Sequence, residues 1–366
     1  MQLEVDVETR LASLSETIAR HAAERDADGA FPREAFAELA ALGLLSDPPV
    51  EDGAMRPLLR LLAAVGRADL SVGRIYEGHV NACWLIGRHA TPAQREHYAG
   101  IAGRGGTFGV WNTDAPNDPL RLEAGRLAGK KTFASGAGGL SHAIVTVTEK
   151  EGRRMIVVPT RGLPVDRSWW RPLGMRASGS HVVDMTGLVV EPSWFLGGPD
   201  DYIRQPWFSA GAIRFLAVQV GGMHAVFDAA AAHLRATGRA DNPHQSHRLA
   251  RMGVAVESGY LWLGRAADAW SAAAADAPAD APERYLEATA NGARLAVETA
   301  AMTVLEEAEK AIGAAGMIAP HPFERLMRDM RTYLRQPNPD GAAAAFGEAI
   351  ATQAWAPAKP GRPEGS

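Results

Sequence analysis

Phe323-Glu324-Arg325-Leu326-Met327-Arg328-Asp329-Met330-Arg331, followed by Thr332-Tyr333-Leu334-Arg335-Gln336-Pro337-Asn338-Pro339, is the stretch on which the reading of the fold turns. His321-Pro322 ahead of it has the residues of a capped helix start, with proline in the first turn. Inside the run, Arg328-Asp329 is either an active-site charge pair or an internal ion pair tying one helix to another. His321 and Glu324 stand at a metal-like i, i+3 spacing, but the partner carboxylates and second histidine of a di-iron bundle are missing. No metal is expected.

Outward from that run the hydrophobic period divides the chain into three blocks. From Val7 to about Arg104 apolar residues recur every three or four positions, as in Leu11, Leu14, Ile18 and again in Phe36, Leu39, Leu42. This predicts amphipathic helices. Pro32 suits a helix start, Gly43 a helix end, and Thr91-Pro92-Ala93-Gln94 a capping box. Between Gly105 and Pro192 the pattern changes to β-branched runs at 143–148, 155–159, 181–185 and 188–190. From Pro206 the helical period returns in runs 217–236, 245–275 and 282–315, with Asp280 and Glu283 as caps for the last.

Apolar residues make up 46% of the 366 positions, enough for sizeable cores. Lys plus Arg number 38 against 42 Asp plus Glu, a net charge of −4, so no general field favours nucleic acid. Cys83 is the only cysteine, which excludes an internal disulfide and suggests a reducing compartment. No uninterrupted apolar run nears the ~20 residues of a membrane helix. Acidic residues stand near Met1, where a signal peptide carries positive charge. A cytoplasmic protein with no membrane partner is the expectation.

Several motifs fail on inspection. Gly136-Ala137-Gly138-Gly139-Leu140-Ser141 ends in serine and no helical period follows it, so it is not a dinucleotide loop. Ser135 has Phe133 where a nucleophile elbow has glycine. His79, on an apolar-faced helix, reads first as a core histidine. Trp169 and Trp170, being adjacent, are expected on opposite sides of a strand.

The block order and the Glu-Arg-x-x-Arg-Asp-x-Arg run resemble the acyl-CoA dehydrogenase superfamily over roughly residues 8 to 350. The resemblance implies an α+β, mostly α fold. Its parts are an N-terminal helical domain (1–104), a central β-barrel-like domain (105–195) and a C-terminal four-helix bundle (203–353), ahead of a disordered tail (354–366). Leu127 to Gly136 resembles the strand that lies against the flavin. It implies Phe133, Ala134 and Ser135 as cofactor-binding, with Phe133 near the ring and the Ser135 hydroxyl toward N5. Phe108 to Thr113 resembles a second flavin strand, implying Val110, Trp111 and Asn112. Arg239, Gly313 and Gly316 fall near the family's contacts to the dinucleotide part, Arg239 reaching a neighbouring subunit's pyrophosphate. The implied cofactor is FAD, with FMN as the alternative, and the implied assembly is a homodimer or homotetramer.

The family's catalytic glutamate falls on Pro337, and its alternative place, Gly211 to Phe215, holds no carboxylate. The flavin monooxygenase branch that includes dibenzothiophene monooxygenase has a tail of similar length, closed here by Ala345-Phe346-Gly347, with Gln336 where that branch has His. Three functions follow. The first is α,β-dehydrogenation of an acyl thioester with a non-standard base such as His79, electrons passing to an electron-transfer flavoprotein. The second is oxygenation of a small molecule by O₂ and reduced flavin from a flavin reductase. The third is flavin binding without catalysis. Arg214 is the candidate to orient a substrate carbonyl or carboxylate, or else pairs with Asp200 or Asp201.

Overall fold

A computed structural model describes residues 12–275, 279–336 and 338–357. Pro337 and residues 358–366 lie outside it. Residues 12–20 are helical and lead into α1 (Ala22–Asp28) and α2 (Arg33–Ala41), then α3 (Met55–Ala68), α4 (Leu70–His89) and α5 (Pro92–Gly103). The local reasons were legible. Leu58, Leu62 and Val65 of α3 are buried on one face. Asp69 caps α4, its Oδ1 accepting from the N–H groups of Ser71 and Val72, and Thr91 with Gln94 forms the expected capping box on α5.

Among the described residues nine strands follow: β1 (Phe108–Trp111), β2 (Arg121–Glu123), β3 (Arg126–Ala128), β4 (Lys130–Ala134), β5 (His142–Glu149), β6 (Gly152–Pro159), β7 (Val165–Asp166), β8 (His181–Asp184) and β9 (Phe195–Leu196). They form sheets ordered β1-β5-β6-β9, β2-β3 and β4-β8-β7. β1 runs parallel to β5, Val110 opposite Ile144, and single bridges such as Asp114–Lys131 join the sheets. The run 188–190 is not a strand; Val189 makes one bridge, to Arg126. Trp169 and Trp170 are not in a strand either. Their rings stack at 6.1 Å in a connecting loop, so strand alternation does not apply to them.

The second helical block contains α6 (Trp207–Ala236), α7 (Pro243–Ala275), α8 (Asp280–Ile312), α9 (Pro322–Tyr333) and α10 (Pro339–Ala351). α6 is long and apolar enough to cross a membrane, but 67% of that apolar window is buried inside the molecule, and it serves as a core helix. Neither Asp280 nor Glu283 caps α8. The N-cap is Ala279, and both acids lie in the first turn, where they oppose the helix dipole. Trp355, placed in the expected disordered tail, is buried against Trp262 and Phe346 because its indole has an aromatic face to cover.

Arg328 of α9 ties the blocks together. Its guanidinium donates to both carboxylate oxygens of Asp26 in α1 (3.3 and 2.6 Å), to Glu324 one turn back (2.5 and 2.8 Å) and to Leu173 O of the loop between β7 and β8 (3.1 Å). Next to it, Asp329 accepts from Met175 N–H (2.6 Å) and from Arg325 (2.9 Å). Gly174 lies flat on this helix, since a Cβ there would strike the backbone of Arg328 and Asp329. The pair is the internal tie. Arg328→Ala strands the buried Asp26 carboxylate and is expected to cost about 3 kcal/mol in urea unfolding, whereas Arg56→Ala, at an exposed pair with Asp268, costs under about 1 kcal/mol.

Candidate functional site

The expected flavin residues come together at the meeting of β1 and β4. The Trp111 indole N–H donates to Ser135 O at 3.0 Å, joining Val110–Asn112 to Phe133–Ser135. β1 is the outer strand of its sheet, so one row of its backbone groups has no strand partner. Phe133, at φ 50°, is 39% exposed despite its size and meets Trp169 edge-on at 5.0 Å. This is an open aromatic face of the kind a flat ring covers. Behind it the hydroxyls of Ser135, Ser180 and Ser178 form a chain with 2.9 Å between neighbours. Two bonds use two of three O–H groups, which leaves one donor for a ligand. The residues present therefore fit a flavin ring.

Asn112 does not belong to that face. Its Oδ1 accepts from Thr146 Oγ1 (2.8 Å) and its backbone O from Lys131 Nζ (3.2 Å), because the buried Lys131 ammonium, paired with Asp114 at 2.6 Å, recruits every nearby acceptor. Trp111 and Ala134 are likewise buried, so any contact from them to a ligand is through backbone.

His79 is corrected by its surroundings. It is fully buried, its Nδ1 accepts from Phe108 N–H (3.1 Å) and its Nε2 donates to Leu45 O (2.9 Å). Both ring nitrogens are spent, and burial pushes the imidazole down to about 4. It is a neutral structural histidine, not a base.

Arg214 pairs with neither Asp200 nor Asp201, which are held by Arg153 N–H and by Arg204. Only 1% exposed, it donates through Nη2 to Asn81 (2.7 Å) and lies over Trp84, while its Nε and Nη1 find no acceptor among the described residues. Burial pulls its guanidinium down to about 10, opposed by the nearby Glu77 and Tyr202. Glu77 itself is buried beside Arg74 (2.8 Å); desolvation raises its carboxyl, and Arg74 and Arg214 counter that rise. Arg74 sits over Phe215, whose ring meets Tyr333 at 4.5 Å, and the Tyr333 hydroxyl is buried without a partner.

The result is a buried cluster of polar side chains where α4, α6 and α9 pack. Sequence reasoning missed Glu77, Arg74, Asn81 and Tyr333, though the first three recur at i, i+3 and i+7 as a polar stripe on an otherwise buried helix. The same helix reaches the flavin face by another side: Ile75 would lie 3.2 Å from a Cβ on Gly136, next to Ser135. On the other side Gln219 Nε2 donates to Tyr333 O and Gln336 O, and Arg294 to Leu334 O (2.5 Å), holding the chain up to the position where the family has its glutamate.

Arg239, Gly313 and Gly316 form a separate group. Arg239 donates to His233 Nε2 (2.7 Å) and Ala311 O (3.2 Å), two residues before Gly313. His233 stands 19 positions along α6 from Arg214, roughly 28 Å at the helical rise. Within one chain the two groups are thus far apart.

Fold and site together define a helix–sheet–helix scaffold with a flat-ring face. Sequence-family models place it further: the acyl-CoA dehydrogenase N-terminal domain matches residues 8–102 and its C-terminal domain residues 202–334. The chain belongs to the acyl-CoA dehydrogenase family. An L-evernosamine nitrososynthase from Micromonospora sp. is 28% identical, over 88% of this chain and 83% of that protein. Dibenzothiophene monooxygenase of Mycolicibacterium goodii is 22% identical over 85% of each. A solved structure of KijD3 with FMN and dTDP-3-amino-2,3,6-trideoxy-4-keto-3-methyl-D-glucose superposes with a TM-score of 0.80 at 25% identity, covering 95% of this chain and 93% of that one.

The His79 geometry is testable by pH. Its folded pKa lies below its unfolded value of about 6.5, so the unfolded chain binds more protons between these values and stability falls as pH drops from 6.5 toward 4. His79→Gln is expected to flatten that slope in urea titrations at stepped pH, while any pH dependence of turnover stays in place.

Proposed function

We propose that this chain is a flavin-dependent monooxygenase that oxygenates a nitrogen of a small polar substrate, an amino sugar carried on a nucleotide being the first candidate. The carrying observation is the buried polar cluster on α4, α6 and α9, which we read as the lining of a substrate chamber. Arg74, Glu77, Asn81, Arg214 and Tyr333 come together there, and two guanidinium donors and one phenol have no acceptor among the described residues. A hydrocarbon chain placed against them would leave these groups desolvated and unpaired. A substrate rich in hydroxyl and carbonyl oxygens satisfies them.

Of the expected flavins, FMN needs only the strand group: the exposed Phe133 face, the spare serine donor and the edge of β1. FAD would also need Arg239 and the Gly313–Gly316 turn, from a second chain, and Arg239 already holds His233 and Ala311 O. When bound, the reduced flavin supplies two electrons for O₂, of which one oxygen goes to the substrate and the other leaves as water. The chain's residues do the positioning. Arg214 Nε and Nη1 hold a substrate oxygen, and Glu77, its carboxyl raised by burial, takes the proton from the substrate amine. Exposed Val254 and Leu261 on α7, with Leu295 and Met302 on α8, supply an apolar face for self-association.

A second reading is favoured by Glu77 alone. A buried carboxylate in this place could remove an α-proton, in which case the base for acyl thioester dehydrogenation is Glu77 and not His79.

One pair of measurements separates the two. With FMN, a flavin reductase, NADH, ¹⁸O₂ and a dTDP-amino sugar, the product is expected to gain labelled oxygen, with Glu77→Gln lowering the rate by about 10²-fold or more. Absence of label, together with bleaching of the oxidised flavin by an acyl-CoA under anaerobic conditions, would reverse the assignment. Ser135→Ala is expected to weaken FMN binding about tenfold in flavin-fluorescence titrations. Unchanged affinity would put that hydroxyl away from the ring.

A further inference from the structure

A second hollow, of about 1010 Å³ and open to solvent, lies where α2 meets the β region and shares no lining residue with the chamber around Arg214. Its wall carries Arg33 at the start of α2 and Arg161 and Arg167 from the chain around β7, with the hydroxyl residues Thr107, Ser141 and Thr160. No Asp or Glu lines it. The neighbouring acids are engaged elsewhere: Glu34 accepts from Arg25 (2.7 Å), and Asp166 accepts from the N–H and O–H of Ser168 (2.8 and 2.6 Å). Strand alternation turns Asp166 to the face opposite Val165, which does line the hollow. Among the described residues, no salt bridge engages Arg33, Arg161 or Arg167.

The wall is shaped to hold these cations. Arg167 lies over Gly138, its Nη2 2.5 Å from where a Cβ would stand, and the Phe31 ring covers Gly139 so closely that a Cβ there would strike it. Arg33 in turn sits 5.8 Å above that Phe31 ring. Bare backbone at two successive glycines lets a guanidinium and an aromatic ring close down on the loop. Three arginines facing one hollow, with no Asp or Glu in its lining, concentrate positive potential there in a chain of net charge −4. Guanidinium forks match the oxygens of phosphate, and they are the donors here, since the Ser141 and Thr160 hydroxyls already donate to Thr107 O and Leu140 O.

We infer that this hollow binds a small molecule through a diphosphate group, at a place separate from the flavin face. Phosphate oxygens come to such a hollow from two sources, a nucleoside diphosphate, free or sugar-linked, and the single phosphate of FMN. The site is the first of these. The inference does not depend on which reaction the chamber performs.

Calorimetric titration of the full chain with inorganic pyrophosphate, and separately with FMN and riboflavin, tests it. Arg161→Ala and Arg167→Ala, both at exposed positions, are each expected to raise the pyrophosphate Kd by at least about tenfold, with Arg161→Lys intermediate. FMN and riboflavin affinities stay as in the unchanged chain, which also shows that the variants are folded. No pyrophosphate uptake, or equal uptake by chain and variants, overturns the site. If the variants lose FMN affinity but keep riboflavin affinity, the hollow holds the flavin phosphate and the separate site is refuted. Oxygenation assays report on the chamber independently, so failure of one proposal is distinguishable from failure of the other.

Discussion

The guanidinium of Arg328 is the point on which the three blocks depend. One planar group accepts constraints from Asp26 in the first block, from Leu173 O in the β region and from Glu324 on its own helix. The bidentate contact to Asp26 fixes direction as well as distance, which a single-donor lysine could not do. Taking these charges out of water is costly, and the mutual pairing offsets that cost only in one register. Asp329 reinforces the register by accepting from Met175 N–H, and Gly174 permits the approach by having no side chain. A second pair, Arg25 to Asp69 at 2.9 Å, ties the same first helix to the cap of α4.

That register decides where the chemistry can be. With α9 held, Tyr333 stands at the end of α9 facing Phe215, and Arg294 and Gln219 capture the carbonyls that follow it. With α4 held through Asp69, its polar stripe faces α6 while Ile75 and His79 face the β region. The polar cluster and the flavin face thus share one helix, α4, whose start is pinned by an ion pair. The polar lining marks a departure from a slot for hydrocarbon, and this departure is written in side chains and not in backbone.

Much of the architecture was readable from local chemistry. The capping box at Thr91, the Asp69-capped helix and the β-branched runs 143–148 and 155–159 are set by residues within a few positions of one another. Phe133 is on β4 as expected, but Ser135 stands in the turn just beyond it. The failures share a cause. His79 is a neutral, spent imidazole because Leu45 and Phe108, 34 and 29 positions away, take its two nitrogens. Asn112 is withdrawn by a buried lysine 19 positions on, and Trp169 stacks on Trp170 because the chain there is a loop.

By itself the sequence placed most helices and strands and pointed to the family, since period, capping and motif act at short range. By resemblance it also aligned the family's glutamate with Pro337. Only the tertiary structure decided which distant residues meet: Glu77 and Arg214, 137 positions apart, lie close in the buried interior, while Arg33 and Arg167 line one hollow. Charge, burial and unsatisfied donors are properties of neighbours in space. A residue's chemistry therefore follows from its type only after packing has chosen its neighbours.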